Sequence, residues 1–315
     1  MKQGAILKEL GRLLMAEIRP PIPDPVKREV RQRCGFGCVL CGVPLYEYHH
    51  LIPYSECQEH VGSNITLLCY AHHKEATNLL LTSEQISQAD SKPYNLEHGE
   101  STPYGLRFEG QGFDCVIGGN RFSTRLRDPQ HATSMIALSV DDNDLAWFRI
   151  DGSGRLFLNA TIFDDRNLPI LVIRDNELTY HTASWDVEFQ ARTLIVREAV
   201  RKILCEIEFI PPREVVISRA RLLCNGVEIL VRTSHLFVVN SQTILMGCSA
   251  VDCDVGLQLG RNHRGLCAGF STDPEALSRY PMPEAEVRRR ERQALTDMGQ
   301  IFGLLGVSLD PESPT

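Results

Sequence analysis

The sequence predicts an α+β chain: a small N-terminal metal-bound unit with helices, a larger all-β region, and a C-terminal helix. Three observations carry this. Five of the eleven cysteines (Cys34, Cys38, Cys41, Cys57 and Cys69) crowd into 36 residues beside several histidines, which in a reducing compartment reads as metal ligation. Over residues 106–260, short β-branched and aliphatic runs alternate with turn formers, the texture of a sandwich, barrel or β-solenoid. Finally, Val287, Ala294, Met298, Ile301 and Leu305 recur on one helical face within 284–305.

A chain of 315 residues holds about two domains. The expected division is 1–92 for the metal unit and 106–315 for the β-rich region and its helix, with the Pro- and Gly-containing stretch 91–105 as linker. The hydrophobic fraction of 43% and charged fraction of 23% exclude wholesale disorder, a collagen-like repeat and a coiled-coil rod. No apolar run approaches the ~18 residues of a spanning helix. Lys8, Glu9 and Arg12 interrupt the apolar N-terminus, so it does not resemble a signal peptide, and the expectation is a cytoplasmic chain without membrane contact. The net charge of −7 argues against a basic surface over the whole protein. Residues 1–80 nevertheless carry 9 Lys/Arg against 8 Asp/Glu, while 93–315 carry 23 against 30. A polyanion would therefore approach the N-terminal quarter more easily.

Residues 5–18 have apolar positions at helical spacing, Pro20–Pro23 stops that helix, and Asp24 is expected to cap the next one, with Pro25 in its first turn, through about Gln32. Thr82-Ser83-Glu84-Gln85 reads as a capping box opening a further short helix. Predicted strands cover 135–140, 155–162, 170–173, 193–196, 204–209, 214–217 and 227–231, punctuated by Asp151-Gly152, Asp175-Asn176 and Asn225-Gly226. Asn120-Arg121, after Gly118-Gly119, reads as a turn. Trp185-Asp186-Val187-Glu188-Phe189 alternates like a half-buried strand whose acidic face is wet.

The chemistry lies between Cys34 and about Leu81. Cys38-Val39-Leu40-Cys41 turns two thiolates toward one tetrahedral centre, as zinc requires. After 27 intervening residues, Cys69-Tyr70-Ala71-His72 can close the tetrahedron from the end of a strand and the first turn of a helix. His72, not His73, is chosen because its spacing matches the first pair. The competing reading makes these cysteines small buried hydrophobes. Cys34 is a less favoured third thiolate, and Cys57 and His60 are expected to be bystanders. Around the zinc set stand His49, His50, Asn64 and His73, each of which would be unremarkable alone.

Together, His-His-Leu-Ile-Pro (49–53), Asn-Ile-Thr-Leu-Leu-Cys (64–69) and His72-His73, framed by Cys38 and Cys41, resemble the HNH endonuclease family. The resemblance covers roughly residues 27–80. It implies a ββα-metal fold, in which a β-hairpin and a helix clamp one divalent ion. It implies that His50 is the general base, that His49 and His73 ligate the catalytic ion, and that Asn64 holds the metal loop and orients the base.

That chemistry is reasonable in itself. A phosphodiester is an anionic, poor electrophile with a poor leaving oxygen, and Mg²⁺ or another divalent cation can neutralise its developing charge. A neutral imidazole suits deprotonation of water near neutral pH. The implied activity is metal-dependent hydrolysis of DNA, with RNA less favoured, in a restriction, defence or mobile-element setting. The β-rich region would select the target or, by forming a homo-oligomer through the 284–305 helix, regulate the cut. The alternative is a non-catalytic zinc-knuckle module that binds nucleic acid or protein. In the C-terminal part, His131, His181, His235 and His263 look isolated, Cys248, Cys253 and Cys267 lack ligand spacing, and Arg288–Arg290 read as helix surface.

Overall fold

The Cys/His-rich stretch folds around a short antiparallel hairpin. β1 (Glu47–His50) pairs with β2 (Ile65–Leu68), setting His49 opposite Thr66 and His50 opposite Ile65. These coordinates are a computed structural model that describes residues 20–272, 279 and 282–304. The helix predicted over 5–18 lies outside the described residues. α1 (Asp24–Arg33) precedes the hairpin. Pro23, not Asp24, occupies its cap position, and Asp24 lies in the first turn, where a carboxylate favours the positive end of the helix dipole.

Within and after the hairpin come α2 (Tyr54–Cys57), α3 (Tyr70–Thr77), α4 (Ser83–Ser91) and α5 (Tyr94–His98). The capping box on α4 is present: Gln85 N–H donates to Thr82 Oγ1 at 3.2 Å and Thr82 N–H to Gln85 Oε1 at 2.9 Å. A small core gathers Val30, Val39, Ile65, Leu67, Leu68 and Ile86 with Cys34, Cys38 and Cys69.

The stretch 91–105 is not a loose linker. It contains α5 and β3 (Tyr104–Gly105), Asn95 is fully buried, and Thr102 Oγ1 donates to Cys41 O at 2.6 Å. Its Pro93 and Gly99 are the cap residues at the two ends of α5, Gly99 at φ +79°, so residues that look like breakers act as punctuation.

Strands β4 (Gly112–Ile117), β5 (Asn120–Arg125), β6 (Thr133–Val140), β7 (Asn143–Ile150), β8 (Leu156–Phe163), β9 (Pro169–Arg174) and β10 (Glu177–Tyr180) follow. Then come β11 (Asp186–Gln190), β12 (Thr193–Ala199), β13 (Lys202–Ile210), β14 (Glu214–Cys224), β15 (Val227–Val231), β16 (Leu236–Val238) and β17 (Thr243–Leu245). β18 (Ser249–Val251), β19 (Val255–Leu259) and β20 (Ala268–Ser271) complete the set. Every predicted strand overlaps one of these. Asn120-Arg121, expected as a turn, instead opens β5; the turn itself is Gly118-Gly119.

One sheet has eight strands in the order β20-β19-β6-β7-β8-β9-β10-β3, and the other runs from β11 to β17 in sequence. β4 joins the second sheet parallel to β14, with Asp114–Ile117 against Glu214–Ile217, while β15 takes the same edge further along. Both sheets turn side chains such as Phe148, Leu158, Phe113 and Ile207 into one core. Two open sheets sharing a core are the sandwich-like choice among the three architectures the sequence left open. α6 (Glu284–Leu304) covers the second sheet, where Val287 packs with Leu230, Phe237 and Val239 and Glu291 accepts two hydrogen bonds from Arg232 at 2.9 and 3.0 Å. The expected apolar face does not stay covered along its length, since Ile301 is 54% exposed. No described helix is long and apolar enough to cross a membrane.

The acidic face of β11 is not wet. Asp186 is 0% exposed and accepts a two-pronged hydrogen bond from Arg31 of α1 at 2.8 and 2.7 Å, plus one from Arg197 at 2.9 Å. Glu188 bonds the same two arginines. Local alternation cannot reveal this, because the partner comes from 155 residues away. Tyr180 Oη donates to Phe36 O at 2.7 Å nearby.

Candidate metal centre

Backbone geometry presents the four expected zinc donors. In the Cys38–Cys41 turn, Gly42 N–H donates to Cys38 O at 2.8 Å and Cys38 N–H to Val43 O at 3.0 Å. Gly42 sits at φ +71°, and a Cβ there would lie 2.2 Å from Asn95 Oδ1, so only glycine fits. Val39 N–H donates to Leu67 O at 3.0 Å and docks the turn on β2. Cys69 is the cap residue of α3 and His72 lies in its first turn.

The donor atoms of Cys38, Cys41, Cys69 and His72 all lie within 4.8 Å of one another. Cys41 and Cys69 sulfurs are 3.8 Å apart, and His72 Nδ1 is 3.3 Å from Cys38 Sγ and 3.2 Å from Cys69 Sγ. A tetrahedron with zinc–sulfur arms of about 2.3 Å has edges of about 3.8 Å. Among the described residues, this is the only convergence of three or more such donors. A hydrogen bond from Cys41 is the largest influence pulling the Cys38 thiol down to about 4, and the same bond pushes Cys41 up. Such sharing of a proton between neighbouring sulfurs is what a divalent cation relieves, since it binds thiolates. The set fits a soft, tetrahedral ion such as zinc. Cys34 stays outside it: burial raises its thiol to about 12, and it sits against Thr66 and Asp90.

His49 and His73 form a second grouping. β1 and α3 bring their rings edge to face with centroids 5.2 Å apart, and His73 Nδ1 lies 3.1 Å from Glu47 Oε2. Burial first, and His73 second, lower the pKa of His49, which keeps the lone pair a metal ligand needs. Glu47, two residues before His49 on the same strand face, was not singled out by the sequence. The strand's period of two was the available signal.

His50, 8% exposed, points to the other side of β1. Its Nε2 lies 3.2 Å from His60 Nδ1, and His60 Nε2 donates to Pro20 O at 2.8 Å. Because a carbonyl only accepts, His60 carries its proton on Nε2, and His50 donates from Nε2 to His60. Tyr54 stacks on His60, with centroids 4.7 Å apart. His60 and Cys57 stay outside the Cys3His set, as expected, and both hold the loop around His50 and Asn64 through hydrogen bonds. Asn64 accepts from Ile52 N–H at 2.8 Å, and its amide donates to Ile52 O at 3.1 Å and to Cys57 Sγ at 3.4 Å. It pins the loop that follows His50.

No family model, curated protein or solved structure matches this chain.

Proposed function

We propose that the chain is a metal-dependent endonuclease of the HNH type, hydrolysing DNA phosphodiesters, with the Cys3His group as a structural zinc site. The observation that carries this reading is the meeting of His49 and His73 beside, but outside, the zinc-like set. A purely structural knuckle needs neither residue.

In this reading His49 and His73 hold a catalytic divalent cation, Mg²⁺ or a similar ion, which when bound stabilises charge on the phosphate and the leaving oxygen. Glu47 accepts from His73 Nδ1, which fixes the ring and turns Nε2 outward, as carboxylates behind metal-binding imidazoles do. His50 takes the proton from water. A neutral imidazole is suited to that role near neutral pH. Asn64 holds the loop after His50 in register. The β-rich region selects the target.

The test is cleavage of supercoiled plasmid with Mg²⁺ or Mn²⁺, read together with zinc content. His50→Ala should keep zinc and fold and lose cutting by about 100-fold or more, the scale of general-base catalysis. Undiminished cutting by His50→Ala removes the base assignment. A wild-type protein that binds DNA but cuts none of supercoiled, linear or single-stranded substrates is a binding module instead.

A further inference from the structure

On the outer face of the second sheet, beneath the N-terminal half of α6, lies a cavity of about 370 Å³. Six cationic side chains line it: Arg201 from the β12–β13 turn, Lys202 at the start of β13, Arg219 and Arg221 from β14, Arg232 beyond β15, and Arg288 from α6. Three carboxylates, Glu198, Glu228 and Glu284, oppose them. A local excess of positive charge is notable in a chain of net charge −7.

The carboxylates are already committed. Arg221 donates to Glu228 at 2.8 Å and to Glu198 at 3.5 Å, and Glu284 pairs with Arg288 and, at 3.9 Å, with Lys202. Arg232 is held by Glu291. The side chains of Arg201 and Arg219 have no hydrogen-bond or ion-pair partner among the described residues. Between the charges the wall is apolar, built from Ile203, Leu230, Met282 and Val287.

We propose that this cavity binds a small organic phosphate of the nucleotide class, its phosphates on Arg201 and Arg219 and its base on the apolar wall. The volume is in the range of small-ligand sites, about 300–1,000 Å³. Planar guanidinium forks match phosphate oxygens in pairs. Inorganic phosphate alone would leave the apolar wall in water. A duplex would need an extended basic track rather than a recess. The site is separate from the metal centre and stands whether or not the chain cuts DNA.

Calorimetric titration of the full-length protein with ATP, pyrophosphate, adenosine and a short DNA duplex decides the matter. ATP should bind most tightly, pyrophosphate more weakly, and adenosine weakest, with affinity falling as salt rises. The double variant Arg201→Ala/Arg219→Ala should keep its melting temperature, both side chains being exposed, and lose about tenfold or more in ATP affinity, as expected for removing charge-assisted bonds. No ATP binding, or equal affinity in the double variant, overturns the proposal. So does pyrophosphate binding as tightly as ATP, which removes the role of the apolar wall. A duplex that binds more tightly than ATP and is weakened by the same variant reassigns the surface to nucleic acid.

Discussion

The two halves of this molecule are held together in opposite ways. The β-rich half turns dozens of apolar side chains from two sheets into one core, and its stability is spread over many interchangeable contacts. The Cys/His half has nine buried residues in its cluster, three of them cysteines. A core that small needs a staple. The contrast teaches where single changes should hurt: broadly and mildly in the sheets, locally and severely around the sulfurs.

The largest effect should follow loss of the zinc-like set. Cys38→Ser, or chelation, should melt the hairpin region while the β-sheet circular dichroism signal persists, because structural zinc contributes about 10 kcal/mol or more to small folds. Unchanged metal content and melting in Cys38→Ser would break the comparison at its root. Next comes the seam between the halves. Arg31→Met leaves buried Asp186 with Arg197 as its remaining hydrogen-bonded arginine, a loss of about 3 kcal/mol in chemical denaturation. Adding Asp186→Asn should recover part of it, and a double variant as unstable as the sum would refute that coupling.

A finer cut separates the two neighbouring histidines. His72→Ala should lower bound zinc and loosen α3, whereas His73→Ala should keep zinc and the melting temperature and abolish plasmid cleavage. If both variants lose zinc alike, the division of labour between them fails. The smallest effect belongs to α6. Burial alone would raise the Glu291 carboxyl, but hydrogen bonds from His235 and Arg232 outweigh it and hold the group below its usual value. Its contribution is therefore complete above the unfolded value of about 4.3 and fades as pH falls below that. Glu291→Gln should cost about 1 kcal/mol at pH 7 and flatten the acid limb of the stability profile, and an unaltered limb would discount the contact.

What could be read in advance follows from distance along the chain. The spacing of Cys38, Cys41, Cys69 and His72 states a short-range geometric demand, and hairpin turns such as Asn225-Gly226 supply the left-handed backbone that their tight reversals require. Long-range partners leave no such mark. Nothing in Asp186-Val187-Glu188 announces that Arg31 will reach it, and nothing around His60 announces His50. The packing of the stretch 91–105 leaves no local mark either, because proline and glycine say where helices begin and end, not whether the segment packs. The parallel alignment of β4 with β14 joins elements far apart in sequence, and periodicity is silent about such pairings.

The Arg31–Asp186 clasp has a practical corollary. A single peptide bond severed between α5 and β3 should not part the molecule, since buried guanidinium and carboxylate groups, with Tyr180 on Phe36 O, would still bridge the break. The two fragments should travel as one species through a sizing column at neutral pH and separate only when denaturant is added.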